Sequence, residues 1–135
     1  MNGKRENPSV FNSLYWLVED KKIDPRIFLD FSRFFWPSFI EVDGFIFLKE
    51  KFEENEYSRL VAKQSNPEYW INIVMLDDYF SETSESEKWS RDLAKSLIEI
   101  WGIKIIKDFP EKKVVFAFLE DKEYGDIGLT FYQNK

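Results

Sequence analysis

With no cysteine and no histidine among its 135 residues, this chain can do acid–base chemistry only with carboxylates, Lys and Tyr, helped by Ser and Thr hydroxyls. Two carboxylate pairs stand close in sequence, Glu41 with Asp43 and Asp77 with Asp78. Paired carboxylates are what glycoside hydrolysis uses, one acid protonating the leaving group while the other acts as nucleophile or base. Alternation along a strand would put Glu41 and Asp43 on one face. Asp43, however, precedes Gly44 and is better explained by a turn, and adjacent acids are usually solvated.

The larger feature is an acidic run. Asp77, Asp78, Glu82, Glu85, Glu87 and Asp92 are opposed only by Lys88 and Arg91, so residues 77–92 carry −4 of the chain's net −6. One reading is a solvated loop in which Glu85 and Glu87 complement the positive end of a helix. A second is a docking surface for a basic partner, since complementary charge steers and orients association. A divalent-cation loop fits poorly, because the spacing does not match a calcium loop and no glycine supplies its turn. Asp77, Asp78, Glu82, Glu85 and Glu87 are therefore the candidate partner-binding residues.

Composition excludes more than it selects. Missing thiols and imidazoles remove disulfides, thiolate metal sites, cysteine nucleophiles and the Ser-His relay. The five glycines form neither a dinucleotide fingerprint nor a P-loop, and no cofactor is expected. A net charge of −6 argues against a nucleic-acid partner, which needs clustered Lys and Arg to neutralise phosphates. The first ten residues carry no secretory pattern, and the most apolar stretch, 27–40, is broken by Asp30, Arg33 and Pro37. The expectation is a cytoplasmic protein without a membrane partner.

The elements that would position these acids follow from periodicity. Residues 10–18 read as a short helix, and Asp24-Pro25 opens a second carrying Ile27, Phe28, Phe31, Phe34 and Phe35 inward until Pro37. Asp43-Gly44 between two β-prone runs predicts a hairpin over 39–48 with a type I′ turn. A helical spacing of Phe52, Tyr57, Leu60 and Val61 follows. Asn66-Pro67 then starts a segment whose Tyr69, Trp70, Ile73, Val74 and Leu76 predict a well-buried helix. Ser84-x-x-Glu87 has the form of a capping box. After it, Trp89, Leu93, Leu97, Ile100, Trp101 and Ile105 line one helix face, widened by Ala94 and Ile98, up to Pro110. A second hairpin spans 114–132. The fold class is α+β: a mostly antiparallel sheet from the two hairpins with three or four helices packed against it, in a single domain over 1–135 whose residues 1–8 are a candidate disordered end.

The stretch from Phe39 to Phe80, with its Phe-Ile-Glu-Val-Asp-Gly hairpin and its Asn72, Asp78 and Phe80 ending, resembles a group of small uncharacterised bacterial proteins. The C-terminal part is similar too: a Leu93-Ala94 to Trp101 helix, Asp108-Phe109-Pro110, a strand and a Thr130-Phe131-Tyr132-Gln133 ending. The resemblance implies no established activity. Members of that group carry histidines in the segment where this chain has Ile73 and Met75, which implies that histidine chemistry does not operate here.

Three functions from different classes compete. The first is a small acidic protein-binding domain, of the antitoxin or immunity kind, that masks a basic partner. The second is a small-ligand or carbohydrate-binding domain, up to a carboxylate-based hydrolase, drawing on five Trp, six Tyr and fourteen Phe. It requires exposed aromatic rings and two convergent carboxylates in a cleft. The third is a structural, self-associating module, which an apolar 114–132 hairpin at a sheet edge would favour. Trp70, Trp89 and Trp101 fall at core spacing and argue against the second.

Overall fold

The computed structural model describes residues 9–79, 85–121 and 126–134, with Asp78 described in its backbone alone. Residues 1–8, Glu82 and Ser84 lie outside that range. The chain divides into two units, Met1–Phe34 and Phe35–Lys135. In the first, Ser9 caps α1 (Val10–Glu19) by accepting from the Phe11 N–H. The Asp24 carboxylate accepts from the Arg26 backbone and guanidinium, which holds it below the usual carboxylate range. α2 (Ile27–Phe35) starts after this Asp-Pro-Arg turn, and no residue of either helix is buried. The inward face expected of Ile27 and Phe31 is thus left largely open.

The second unit holds the α+β architecture. β1 (Phe39–Val42) and β2 (Phe45–Leu48) form the first hairpin, with Asp43 at φ 52° and Gly44 at φ 87° in its turn. Both positive angles are what a type I′ turn demands, and Gly44 supplies the second without Cβ strain. The Tyr57 hydroxyl donates to Asp43 Oδ2 at 2.7 Å, fastening the turn to α3 (Glu54–Ala62). The hairpin's α3-facing side forms a core of Phe47, Tyr57, Leu60 and Ile71, with Phe45 and Phe52 packed on it.

Burial first, and then the hydrogen bond to Asp43, raise the Tyr57 hydroxyl pKa to about 12. Because the folded value lies above the unfolded one near 10, this contribution to stability is complete below about pH 10 and lost as pH rises toward 12. We expect the melting temperature of the wild type to fall across that window, and that of Tyr57→Phe to start lower, by the loss of about 1 kcal/mol, but fall less. Equal alkaline slopes in the two proteins would show that Tyr57 is not the titrating group.

α4 (Pro67–Ile71) begins as expected, with Asn66 Oδ1 accepting from the Glu68 and Tyr69 N–H groups, but it is only five residues long. The chain then enters β3 (Val74–Met75), so the long buried helix expected here does not form. β3 pairs with β5 (Asp126–Gln133), which pairs on its other side with β4 (Val114–Asp121), giving the order β3-β5-β4, all antiparallel. The strands therefore make two sheets, the β1-β2 hairpin and this three-stranded one.

What stops α4 is the seam between those sheets. In a two-residue hairpin the backbone groups of Ile46 and Leu48 point away from β1. Both residues are buried, and orphaned N–H and C=O groups there would be costly. Glu68 and Asn72, one helical turn apart, meet them. Glu68 Oε2 accepts from the Ile46 N–H at 2.7 Å, and Asn72 Oδ1 accepts from the Leu48 N–H at 3.0 Å while its Nδ2 donates to the Ile46 carbonyl at 3.0 Å. The same side chains reach the β5 edge: Asn72 Nδ2 donates to the Phe131 carbonyl at 3.2 Å and Glu68 Oε1 accepts from the Gln133 N–H at 2.9 Å. Two side chains thus stand in for a strand between β2 and β5.

α5 (Ser86–Asp108) runs across the even-numbered side chains of β4, with Phe116 3.7 Å from where a Cβ on Gly102 would sit. Its buried stripe is Ser90, Ala94, Leu97, Trp101 and Ile105. Ala94, Leu97, Trp101 and Ile105 lie where the periodicity put them, but at the N-terminal end Ser90 takes the inward position expected of Trp89. Small Ser90 and Ala94 face inward, allowing close approach, and Trp89 is turned outward. Glu85 precedes the helix without a side-chain capping bond, and Ser84 of the expected capping box lies outside the described residues.

Candidate functional site

Glu41 and Asp43 do not form a convergent couple, and the Asp78 side chain of the other pair lies outside what is described. Asp43 is engaged by Tyr57, and Glu41 is 3.2 Å from Lys112 Nζ. Asp77 Oδ1 accepts from the Ile127 N–H at 3.1 Å, a bond that continues the β3–β5 pairing into the short 3-10 turn at Asp77–Tyr79. The acid in the most enclosed setting is one that sequence reasoning passed over. Glu68 is 2% exposed and both its oxygens accept hydrogen bonds, including one from Gln133 Nε2 at 2.6 Å. Its donors are the backbone of β2 and β5 and a neighbouring amide, so it is tied into the fold rather than facing a substrate. An acid between Pro67 and the aromatic Tyr69 and Trp70 was the available signal. Among the described residues no cluster of Asp and Glu could hold a metal ion, and no helix is long and apolar enough to cross a membrane.

The aromatic expectation needs correcting. Trp101 is buried, but Trp70 is 54% and Trp89 44% exposed, as Trp36 is at 44%. Trp70 meets Tyr69 edge-on at 5.2 Å between centroids, and Tyr69 lies 5.9 Å from Tyr132. α4 ends one residue after Trp70, so the helical face that would have buried that ring is never completed.

The acidic candidates sit at one end of the second unit. Asp77 lies half-buried in its hydrogen bond to β5, Glu85 is exposed just before α5, and Glu87 is exposed and 2.9 Å from Arg91. The Asp78 side chain and Glu82 lie outside what is described. The fold adds to this end something the sequence order hid. Arg91 also pairs with Glu120, and its guanidinium lies 5.5 Å from the centre of the Phe118 ring. Together with the Asp77–Ile127 bond, this brings the end of the β4–β5 hairpin against the acidic run. Residues 120–126 carry four acids and one base, a net −3. Added to the −4 of 77–92, that exceeds the charge of the whole chain, and everything else sums to +1.

Beside Glu120, Asp121 and Asp126 lies a shallow groove that they line together with Met75, Phe118 and Leu119. Its lining combines three apolar side chains with three carboxylates, which suits an aliphatic stem ending in a cation. Arg91 already uses one edge of it in that way. The guanidinium is held by two carboxylates, which raise its pKa, and covers an aromatic face. Comparison with protein-family models, curated proteins and solved structures finds no match.

Proposed function

We propose that this chain is a protein-binding module that docks a basic partner on the acidic end of its second unit, in the manner of an inhibitor masking a cationic effector. The observation that carries this reading is that the Asp77–Ile127 and Arg91–Glu120 contacts bring Glu120, Asp121 and Asp126 to the same end of the second unit as Asp77, Glu85 and Glu87; in sequence, 77–92 and 120–126 together carry a net −7. A field of that kind speeds encounter with a basic surface, and at a Debye length of about 8 Å it acts mainly on groups that dock close by. The groove supplies what charge alone lacks, the apolar side chains of Met75, Phe118 and Leu119 against which Lys or Arg stems bury area. Among the described residues the hydrolase reading finds no convergent carboxylates, since Asp43, Glu41 and Asp77 each serve a separate structural contact.

The test is a pull-down from host extract with the wild type and with Glu85→Lys/Asp126→Lys, at low and moderate salt. The expected result is a basic protein retained by the wild type, with affinity reduced ten-fold or more in the variant through slower association. Retention unchanged by the charge reversal, or a retained partner of acidic character, would overturn the reading.

A further inference from the structure

We propose that β4 is a self-association edge: two copies of this chain pair their β4 strands antiparallel about a two-fold axis through Ala117, joining the three-stranded sheets into one of six. β4 is the outer strand of its sheet, and no strand among the described residues pairs with its far side. It is eight residues long, and its first six, Val-Val-Phe-Ala-Phe-Leu, carry no charge, proline or glycine, yet no residue of β4 is buried. Val115 is 37% and Phe118 39% exposed. The neighbouring β5 has five consecutive buried residues. Soluble proteins blunt such edges with bulges, proline or inward charges, and β4 has none of these between its ends.

Why the occupant is a second copy follows from charge and register. The strand is basic at its start, after Lys112 and Lys113, and acidic at its end, at Glu120 and Asp121. Antiparallel pairing sets each basic end against the partner's acidic end. The free backbone groups lie on even residues. On β5, residues 127, 131 and 133 use their backbone away from β4, so it is 126, 128, 130 and 132 that bond β4, at residues 121, 119, 117 and 115. That leaves 114, 116, 118 and 120 facing outward.

A two-fold perpendicular to the sheet keeps α5 on the same side in both copies and must pair even residues with even. Placing Ala117 on the axis pairs Val114 with Glu120 and Phe116 with Phe118 in hydrogen-bonded positions. Val115 then opposes Leu119, and Lys113 opposes Asp121 twice. The register centred on Phe116 is poorer. It sets Lys113 against Leu119 and Glu111 against Asp121, an apolar mismatch and a like-charge pair. Ala117 against Ala117, the smallest pair in the strand, falls at the closest approach.

Because the chain has no cysteine, single thiols report the register directly. In the proposed pairing the two Ala117 Cα atoms lie about 4.5 Å apart, within disulfide range, whereas two copies of residue 115 are offset by four residues, about 13 Å. We expect the wild type to sediment as a dimer at about 50 µM and Ala117→Cys to cross-link under mild oxidation at least ten-fold faster than Val115→Cys. Lys113→Glu should weaken the dimer at least ten-fold, and Lys113→Glu/Asp121→Lys should restore it. A wild type that stays monomeric, or equal cross-linking at positions 115 and 117, overturns the proposal. So does a dimer indifferent to both charge changes. The basic-partner reading is tested separately, since Glu85→Lys/Asp126→Lys alters the acidic end and leaves the β4 register untouched.

Discussion

Glu68→Ala is expected to destabilise the chain by roughly 3–5 kcal/mol, the largest effect of any single substitution considered, although it removes no apolar core. The side chain accepts from the Ile46 N–H, the Gln133 N–H and Gln133 Nε2, and the first of these lies in a fully buried residue. Truncation leaves those donors facing each other across the seam. Water can reach the Gln133 side but not Ile46. For a domain whose whole stability is about 5–15 kcal/mol, a loss of that size brings the folded and unfolded populations within reach of each other at ambient temperature.

Glu68→Gln sharpens the test, because it keeps the shape and one acceptor but turns an amide NH₂ toward an N–H donor on one side of the seam. It should cost about 2–3 kcal/mol. Glu87→Gln, which removes an exposed carboxylate paired with Arg91, should cost under about 1 kcal/mol. The measurement is urea unfolding of the three variants against the wild type. A Glu68→Ala midpoint close to that of Glu87→Gln would mean that the seam is solvated and that Glu68 does not join the sheets.

The seam also marks the boundary of what could be read from the chain. Elements governed by neighbours were legible. Asp43-Gly44 dictates its own turn, the 114–132 hairpin shows in two β-prone runs, and the C-terminal part of α5 shows in the spacing of Leu97, Trp101 and Ile105. The contacts of Glu68 and Asn72 span separations from 22 to 65 residues and leave no periodic trace. A helical pattern through Tyr69, Trp70, Ile73 and Val74 was real. It lost to the need to satisfy β2 and β5, which ends α4 at Ile71 and releases Val74 into a strand. Trp89 was misplaced for a related reason: periodicity reports which residues share a face, and a helix lying close to a sheet prefers the face with Ser90 and Ala94.

The acidic site divides the same way. Its charge in 77–92 was visible as a local excess, whereas the contribution of Glu120, Asp121 and Asp126 depends on Arg91 and Asp77 meeting a hairpin some thirty to fifty residues away. The β4 edge was foreseen only conditionally, because whether a hairpin lies at an edge is a matter of strand order. The order β3-β5-β4 decides it, and it places the more polar strand at the centre and the more apolar one outside.

Gly128→Ala should be the second-largest loss, about 3 kcal/mol, and unlike a loss at Gly44 it arises from space rather than backbone angle. A Cβ at Gly128 would lie 2.6 Å from the Val74 carbonyl oxygen and 2.7 Å from Met75 Sδ, while Gly44 has open space around its own. The Met75 thioether can swing aside. The Val74 carbonyl cannot, because Val74 is paired with Leu129 in the ladder. Replacing glycine by alanine also narrows the unfolded ensemble, a gain of about 0.4–1 kcal/mol, which the overpacking of about 1–3 kcal/mol and the loss of ladder bonds outweigh. Relief requires β3 to lift from β5, which breaks the Leu76 N–H bond to the Ile127 carbonyl and the Asp77 bond to the Ile127 N–H. The effect should therefore be local before it is global. Amide exchange should accelerate first at Leu76 and Ile127 while the β1-β2 hairpin stays protected. Freed from Ile127, Asp77 would leave the junction of the two acidic segments, and the variant should bind a basic partner more weakly at temperatures where it is still folded. Should Gly128→Ala be as stable as the wild type, with Ile127 still protected, β3 cannot lie as close to β5 as these distances require.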